Sequence, residues 1–463
     1  MATPPQSGLT LFKKLRYGTG QVAESFGLNG IKQIGNLYYV VLLGLNPLWV
    51  GSALAIIRLW DAMLDPVLGH ISDRWTGPHG RRKPFLITGV LIMAGIFPVF
   101  WIAQKEWGTR VNMIFFITVL LVFTCGYACF SVAYQALGIE LTRNHHERTS
   151  VQAFKTPFGQ LSNLVLWWTL PLAFTPLFPN EYEGMLWIGS GVGLLILTGG
   201  LMPALIKEQA IDLHANAERM ARNPLSNWRT AISNRPFLLL LGAMGGTFLG
   251  VNLTFGINNL LNVYYVHGGN VPASMIIIGT GGTLWTISSL GAACYIPLLS
   301  KRFGKKQTLA ACILAIASGS LLYLWVFHPD YPFLPLLPVL VINPGVTGLW
   351  ILSSSMLADV CDDDRLRHGE YREATFSAVY ALIKKLALSA SFAISGLLTA
   401  WSGFKVELAA NQAPGVFDAM MAVLALTPLL ALVPAFILLI RFPITESVAQ
   451  ENARMLKAKG GQA

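Results

Sequence analysis

Apolar runs of about 20 residues, the length a helix needs to cross a bilayer, recur along this whole chain and leave room for little else. They fall at 24–45, 48–71, 84–104, 111–139, 151–176, 184–206, 236–265, 271–299, 307–328, 333–360, 373–400 and 416–441. A soluble protein with buried helices would need a polar face on most of them, and "MLWIGSGVGLLILTGGLMPALI" has none. Only 12% of residues are charged, against about 25% in soluble domains. The expectation is an all-α polytopic membrane protein with twelve transmembrane helices.

The polar stretch 207–235 divides six spans from six. It separates an N-terminal bundle, 1–206, from a C-terminal bundle, 236–442, which is followed by a tail, 443–463. The halves echo each other. "GHISDRWTGPHGRRKPFLITG" after the second span has a counterpart in "PLLSKRFGKKQTLAACIL" after the eighth, and "IELTRNHHERTSVQAF" after the fourth in "LADVCDDDRLRHGEYREATFSA" after the tenth. Two pseudo-symmetric six-helix bundles with substrate held between them near the midplane are the major-facilitator architecture.

Lys and Arg concentrate in the N-terminal tail, every second loop and the C-terminal tail, whereas the opposite loops hold only Lys105, Arg110 and Lys405. The positive-inside rule then makes both termini cytoplasmic, in agreement with an even number of spans. The net charge of +10 reflects this asymmetry; it suits contact with anionic lipid headgroups and gives no support to nucleic-acid binding. The N-terminal "MATPPQSGLTLFKKLRYGTG" lacks a signal-peptide pattern, so the first span is expected to direct insertion. Five cysteines show no metal-type spacing and read as buried small apolar residues. Trp101, Trp107 and Trp187, near span ends, read as interfacial belt residues.

Within the second span, "RLWDAMLDPVLGHISDR" carries Arg58, Asp61 and Asp65 on one helical face. A charge at the bilayer centre costs at least about 2.5–3.5 kcal/mol, and such groups persist where they face a wet cavity or a partner. Carboxylates four apart suit a sodium ion, with Asp61 and Asp65 as its protein ligands, or a shared proton; a static ion-pair network is the structural alternative. The first span adds Glu24 and Lys32, and the fifth Lys155. The eleventh carries Lys384 and Lys385, about 100° apart on the helix, of which at most one faces the cavity. The interior balance is slightly positive, which suits an anionic substrate. Tyr134, Gln135, Trp350 and Tyr380 could line a sugar site, although packing is the commoner use of such aromatics. Asp73, Arg81 and Arg82 between the second and third spans are candidate gating residues, as are Glu140, Asp359, Arg372 and Glu373 in the paired loops.

"RLWDAMLDPVLGHISDRW" with "GRRKPFL", "ALGIELTRNHHERTS" and "SMLADVCDDDRLRHGEYREATFSAVYALIKK" resembles the glycoside–pentoside–hexuronide:cation symporter family, nearly end to end. The resemblance implies that Asp61 and Asp65 bind the coupling cation. It also implies that Lys385, twelve residues after Glu373, links cation and sugar sites, and that Trp350 is the family's tenth-helix tryptophan. Compared with the family's melibiose carrier, Ser25, Ser131, Gln135 and Thr156 replace sugar-contacting residues. Galactoside specificity is therefore not expected. Leu64 replaces an asparagine beside the second aspartate, which favours a proton over sodium.

The sequence thus points to a cation-coupled symporter of a sugar, glycoside or hexuronide, with Glu24, Ser25, Lys32, Arg58, Ser131, Tyr134, Gln135, Lys155, Thr156, Trp350, Tyr380 and Lys385 near substrate. No enzyme activity and no cofactor beyond the coupling ion are expected. A bacterial inner membrane and a functional monomer complete the reading. The alternative is a lysolipid or other small-solute transporter, or a non-transporting receptor, on the same scaffold.

Overall fold

The computed structural model describes residues 9–206 and 232–460, apart from 36, 76, 78, 79, 142–144, 254 and 369–372. The expected linker, 207–235, therefore lies almost wholly outside the described residues. The chain forms two compact units, Met1–Ile211 and Asp212–Ala463, and all regular structure among the described residues is helical.

The first unit contains α1 (Leu11–Thr19), α2 (Gln21–Ser25), π-helical stretches Phe26–Gly35 and Leu37–Leu42, α3 (Pro47–Arg74), α4 (Lys83–Val99), α5 (Gly108–Glu140), α6 (His145–Ala173) and α7 (Glu181–Leu201). The second contains α8 (Arg235–Asn252), α9 (Phe255–Leu260), a π-helical stretch Leu261–Val266, α10 (Val271–Phe303), α11 (Lys305–Val326), α12 (Leu337–His368), α13 (Glu373–Trp401), α14 (Val416–Ile440) and α15 (Glu446–Gly460). The helix starts follow from local sequence. Asn46, Asn234 and Asn270 accept hydrogen bonds from Leu48, Phe237 and Ala273 backbone nitrogens at 2.9, 3.0 and 3.2 Å. A proline follows within two residues each time, where a missing N–H costs nothing.

Ten helical stretches among the described residues are long and apolar enough to cross a membrane. The two other expected spans differ for physical reasons. The fifth, α6, carries Lys155, Gln160, Ser162 and Asn163 along its length. The first is a succession of short α and π segments. π turns leave main-chain groups out of the regular ladder, as functional sites often require. Both opening spans carry an Asn-x-Tyr-Tyr-Val sequence, 36–40 and 262–266, and in each the Tyr-Tyr-Val part lies in a π-helical stretch.

Glycines set the closest crossings. A Cβ on Gly89 of α4 would lie 2.5 Å from the Phe130 backbone nitrogen and 2.7 Å from the Gly126 carbonyl oxygen of α5. In the second unit a Cβ on Gly345 of α12 would lie 2.6 Å from the Cys312 carbonyl oxygen of α11. Third and fourth spans of each unit thus meet backbone to backbone, the small-residue packing that substitutes for a hydrophobic drive in lipid.

Two expectations need correction. Trp101 is not a belt residue: it is 1% exposed, wedged against Tyr38 and Phe97, because a short 3₁₀ turn, Phe100–Ile102, rotates it inward. Trp187, at 68% exposure, keeps the expected outward position. Cys294 is exposed, whereas Cys312 and Cys361 are buried; α10 presents Cys294 on its outer face beside Tyr295 and Leu298. The C-terminal tail also has structure. Helix α15 docks on α12, with Val448 and Ala449 against the core of the second unit and Asn452 donating to Asp363 Oδ1 at 3.4 Å.

Candidate functional site

In the first unit, α3 places Ile56, Leu59 and Met63 outward and buries Asp61 to 1% exposure. Arg58 spans the gap to the first helix. Its Nη2 donates to the Leu28 carbonyl of the π stretch, and its Nη1 stands 4.0 Å from Asp61 Oδ2. Asp65 is half-buried one turn further on. Pro66 cannot donate to the carbonyl of Ala62, so α3 offers a main-chain oxygen beside the two acids. No group of three His, Cys, Asp or Glu side chains gathers among the described residues. A sodium ion at Asp61 and Asp65 would therefore need hydroxyl or carbonyl oxygens to complete its shell.

Glu24 is the most enclosed acid facing this helix. It is 9% exposed, and its Oε1 accepts from Ser131 Oγ at 3.0 Å, Gln135 Nε2 at 3.3 Å and Tyr127 Oη at 3.5 Å. Gln135 also donates to Ser131 Oγ at 2.9 Å. Oε2 has no hydrogen-bond partner among the described residues. Tyr127 is absent from the sequence-based list, yet the signal was present: Tyr127, Ser131 and Gln135 recur every four residues and so share one face of α5. Lys155 of α6 places its Nζ 4.7 Å from the Tyr134 ring centroid and 5.7 Å from that of Tyr17.

Other expected residues separate from this cluster. Tyr134 is fully buried, stacked on Tyr17 at 4.7 Å with its hydroxyl donating to the Tyr17 carbonyl at 2.9 Å. In this arrangement it is a packing residue beneath Lys155 and does not reach open space. Ser25 is buried and accepts from Gln21 Nε2 at 3.3 Å. Thr156 is exposed. The Lys32 side chain lies outside the described residues.

In the second unit, Trp350 of α12 is 46% exposed and stands edge-on to Phe248, centroids 4.9 Å apart. Lys384 of α13 brings its Nζ 4.8 Å from the Trp350 centroid and 6.0 Å from that of Tyr380. The lysine seated on both expected aromatics is thus Lys384. Its neighbour Lys385, indicated by the family motif, is half-buried about 100° further round the helix.

Of the gating candidates, Arg82 is 5% exposed and donates to Ser72 Oγ at 2.8 Å, which ties the start of α4 to the end of α3. Arg81 is half-buried nearby. Asp359 of α12 receives two hydrogen bonds of 2.7 Å from Lys305 at the start of α11. The side chains of Asp73, Glu140, Arg372 and Glu373 lie outside the described residues. Asp363 pairs with Arg367 one turn on in the same helix at 2.9 Å; this pair and the Lys305 partner of Asp359 were not singled out from sequence. Asp359→Asn is expected to lower stability by about 1–3 kcal/mol, because it removes the negative charge opposite Lys305 and one of the two oxygens that accept from it. Thermal melts in detergent check this, and Lys305→Met combined with Asp359→Leu should recover part of the loss.

Residues 16–446 match the family model of MFS/sugar transport proteins. The chain is 22% identical to the glucuronide carrier protein homolog of Escherichia coli, over 94% of this chain and 93% of that one. It is 23% identical to sodium-dependent lysophosphatidylcholine symporter 1 of Gallus gallus, over 97% and 89% respectively. In fold it is similar to the crystal structure of a D-xylose-proton symporter, with TM-score 0.63 and 13% identity, covering 90% of this chain and 96% of that one.

Proposed function

The chain belongs to the MFS/sugar transport protein family, a family of multi-pass membrane transporters, and from that premise we propose that it is a cation-coupled symporter of a sugar, glycoside or hexuronide. The observation that carries the reading is the polar cluster of the first unit. Asp61, Glu24 and Arg58 are held among spans that are otherwise apolar, where an ionisable group persists for function. Asp61 and Asp65 are the coupling-ion acids. Loading a cation or proton there removes their mutual repulsion and releases Arg58 from Asp61, which reorders the substrate site for alternating access. Leu64, where a family asparagine would add an oxygen, favours the proton.

Trp350, Tyr380 and Lys384 form the aromatic part of the substrate site in the second unit, an apolar platform for a sugar face with a cation at its edge. Trp350→Ala is expected to raise the KM for substrate about tenfold, the scale of one lost stacking contact, with less effect on the maximal rate. The test of the whole reading is uptake of radiolabelled glucuronate, glucose and neutral disaccharides into membrane vesicles with imposed proton or sodium gradients. Accumulation driven by neither gradient would refute it.

Asp73, Arg81, Arg82, Glu140, Asp359, Arg372 and Glu373 remain the proposed gating set, and both termini are assigned to the cytoplasm. A second reading, transport of a lysolipid, draws on the likeness to the lysophosphatidylcholine symporter. Competition between lysophosphatidylcholine and glucuronate in the same vesicles separates the two.

A further inference from the structure

Glu24 and Lys155 present an electrostatic arrangement that the coupling acids do not explain. Among the described residues, Lys155 from α6 and Asp61 from α3 are the charged groups that act on Glu24, and Asp61 and Arg58 from α3 both act on its neighbour Tyr127. Arg58 lies against Asp61, so Lys155 is left to balance Glu24. The other titratable groups facing Glu24 are the hydroxyls of Tyr127 and Tyr134 from α5 and Tyr17 from α1. Helix α7 sets Gly199 against Val22 and Gly200 against Ala23. Lys32, further along the same span as Glu24, has its side chain outside the described residues.

The hydrogen bonding of Glu24 is one-sided. Three donors converge on Oε1, and Oε2 is enclosed without a partner. A carboxyl group arranged this way has an acceptor oxygen fully used and a second oxygen available to one further ligand. The Lys155 ammonium rests on two aromatic rings, which hold a cation without neutralising it, and the opposite charge that acts on it is Glu24. Gln135, which bonds Glu24, and Thr156, next to Lys155 in sequence, are exposed, and Lys155 itself is half-buried while Glu24 is covered.

We propose that Glu24 and Lys155 form a proton-gated anion seat, in which one proton enters on Glu24 Oε2 together with one negative charge of the substrate at Lys155. The inference rests on the hexuronide-class reading above and deepens it. The charge balance closes. Before loading, the carboxylate of Glu24 offsets Lys155. The proton forms an O–H bond on Oε2, taken from bulk water, and breaks no bond of the protein. Lys155 is then an uncompensated cation until a carboxylate or sulfonate of the substrate replaces the lost negative charge. Both end states are neutral overall, whereas proton alone or anion alone leaves a net charge in a low-dielectric site, which is costly. Proton and anion therefore bind cooperatively, each raising the affinity of the other by the same factor.

Two measurements on the purified full-length protein in detergent test this. Infrared difference spectra between acidic and alkaline buffer are expected to show a protonated-carboxyl band that persists in Asp61→Asn and vanishes in Glu24→Gln. Calorimetric titration with glucuronate in buffers of different ionisation heat is expected to report about one proton fewer taken up per glucuronate in Glu24→Gln than in the unmodified protein. Lys155→Met should weaken glucuronate binding about tenfold or more. A Glu24→Gln protein with the same band and the same proton uptake as the parent overturns the seat while leaving symport intact. A parent protein with the Glu24 band that binds no glucuronate overturns the anion half and, with it, the hexuronide reading.

Discussion

Asp61→Asn is expected to abolish gradient-driven accumulation of substrate, a fall of about 100-fold or more, while substrate exchange at equilibrium continues. The physical basis is the environment of the side chain. Asp61 is 1% exposed and stands 4.0 Å from Arg58, so its charge is part of a balanced pair inside an apolar region. The amide has the shape of the acid but takes up no proton and carries no charge to offset a cation, so the site loses the group whose occupancy is proposed to change in the cycle. The intramembrane cost of one charge, about 3 kcal/mol on permissive scales, matches that two-decade loss. Removing one partner also leaves Arg58 uncompensated, a penalty of about 3–5 kcal/mol in buried pairs. The double substitution Arg58→Gln with Asp61→Asn should therefore fold better than Asp61→Asn alone and still not accumulate substrate. Uptake in vesicles with an imposed gradient, beside counterflow in the same vesicles, reads both outcomes. Uphill accumulation by either variant would overturn the assignment of Asp61.

Gly89→Leu is expected to prevent recovery of folded protein, and Gly89→Ala to cost about 1–3 kcal/mol, the range for forcing extra atoms into a packed contact. The Cβ of either residue would meet main-chain atoms of α5, at 2.5 Å from Phe130 nitrogen and 2.7 Å from Gly126 oxygen. Backbone cannot rotate away as a side chain can, so α4 and α5 must part. The same crossing carries Tyr127, Ser131 and Gln135 into register with Glu24. Gly95, on the same helix, has no atom within 4 Å of a built Cβ, and Gly95→Ala should melt like the parent. Size-exclusion profiles and thermal melts in detergent check the series. Equal melting of Gly89→Ala and Gly95→Ala would remove the backbone crossing from the account.

How far the site is legible from sequence differs residue by residue. Arg58 and Asp61 were readable together, because three residues along one helix is a local distance that periodicity alone measures. Glu24 was visible as an anomalous charge, but its partners Ser131 and Gln135 lie 107 and 111 residues away, and no local pattern pairs them. The eleventh span carried two adjacent lysines, one favoured by motif spacing, and packing seated the other, Lys384, on Trp350 and Tyr380. Trp101 looked interfacial from its position near a span end, and the 3₁₀ turn that buries it has no strong sequence marker. Helix α15 was read as tail because its contact with α12 depends on a few small residues and on Asn452 reaching Asp363.

The amino-acid order by itself determined that this chain is a bundle of membrane-crossing helices with a polar stripe on the second. A bilayer leaves backbone groups no partner except within a helix, so length and hydropathy of each run decide the matter locally. Tertiary structure alone decided which charges meet. A π-helical first span shifts the phase of every side chain beyond it, and the glycine crossing of α4 with α5 sets how near the fourth span approaches. The packing of α2, which precedes the π stretch, beside α5 places the Glu24 carboxyl under three donors of α5, an outcome of long-range shape that no periodicity encodes.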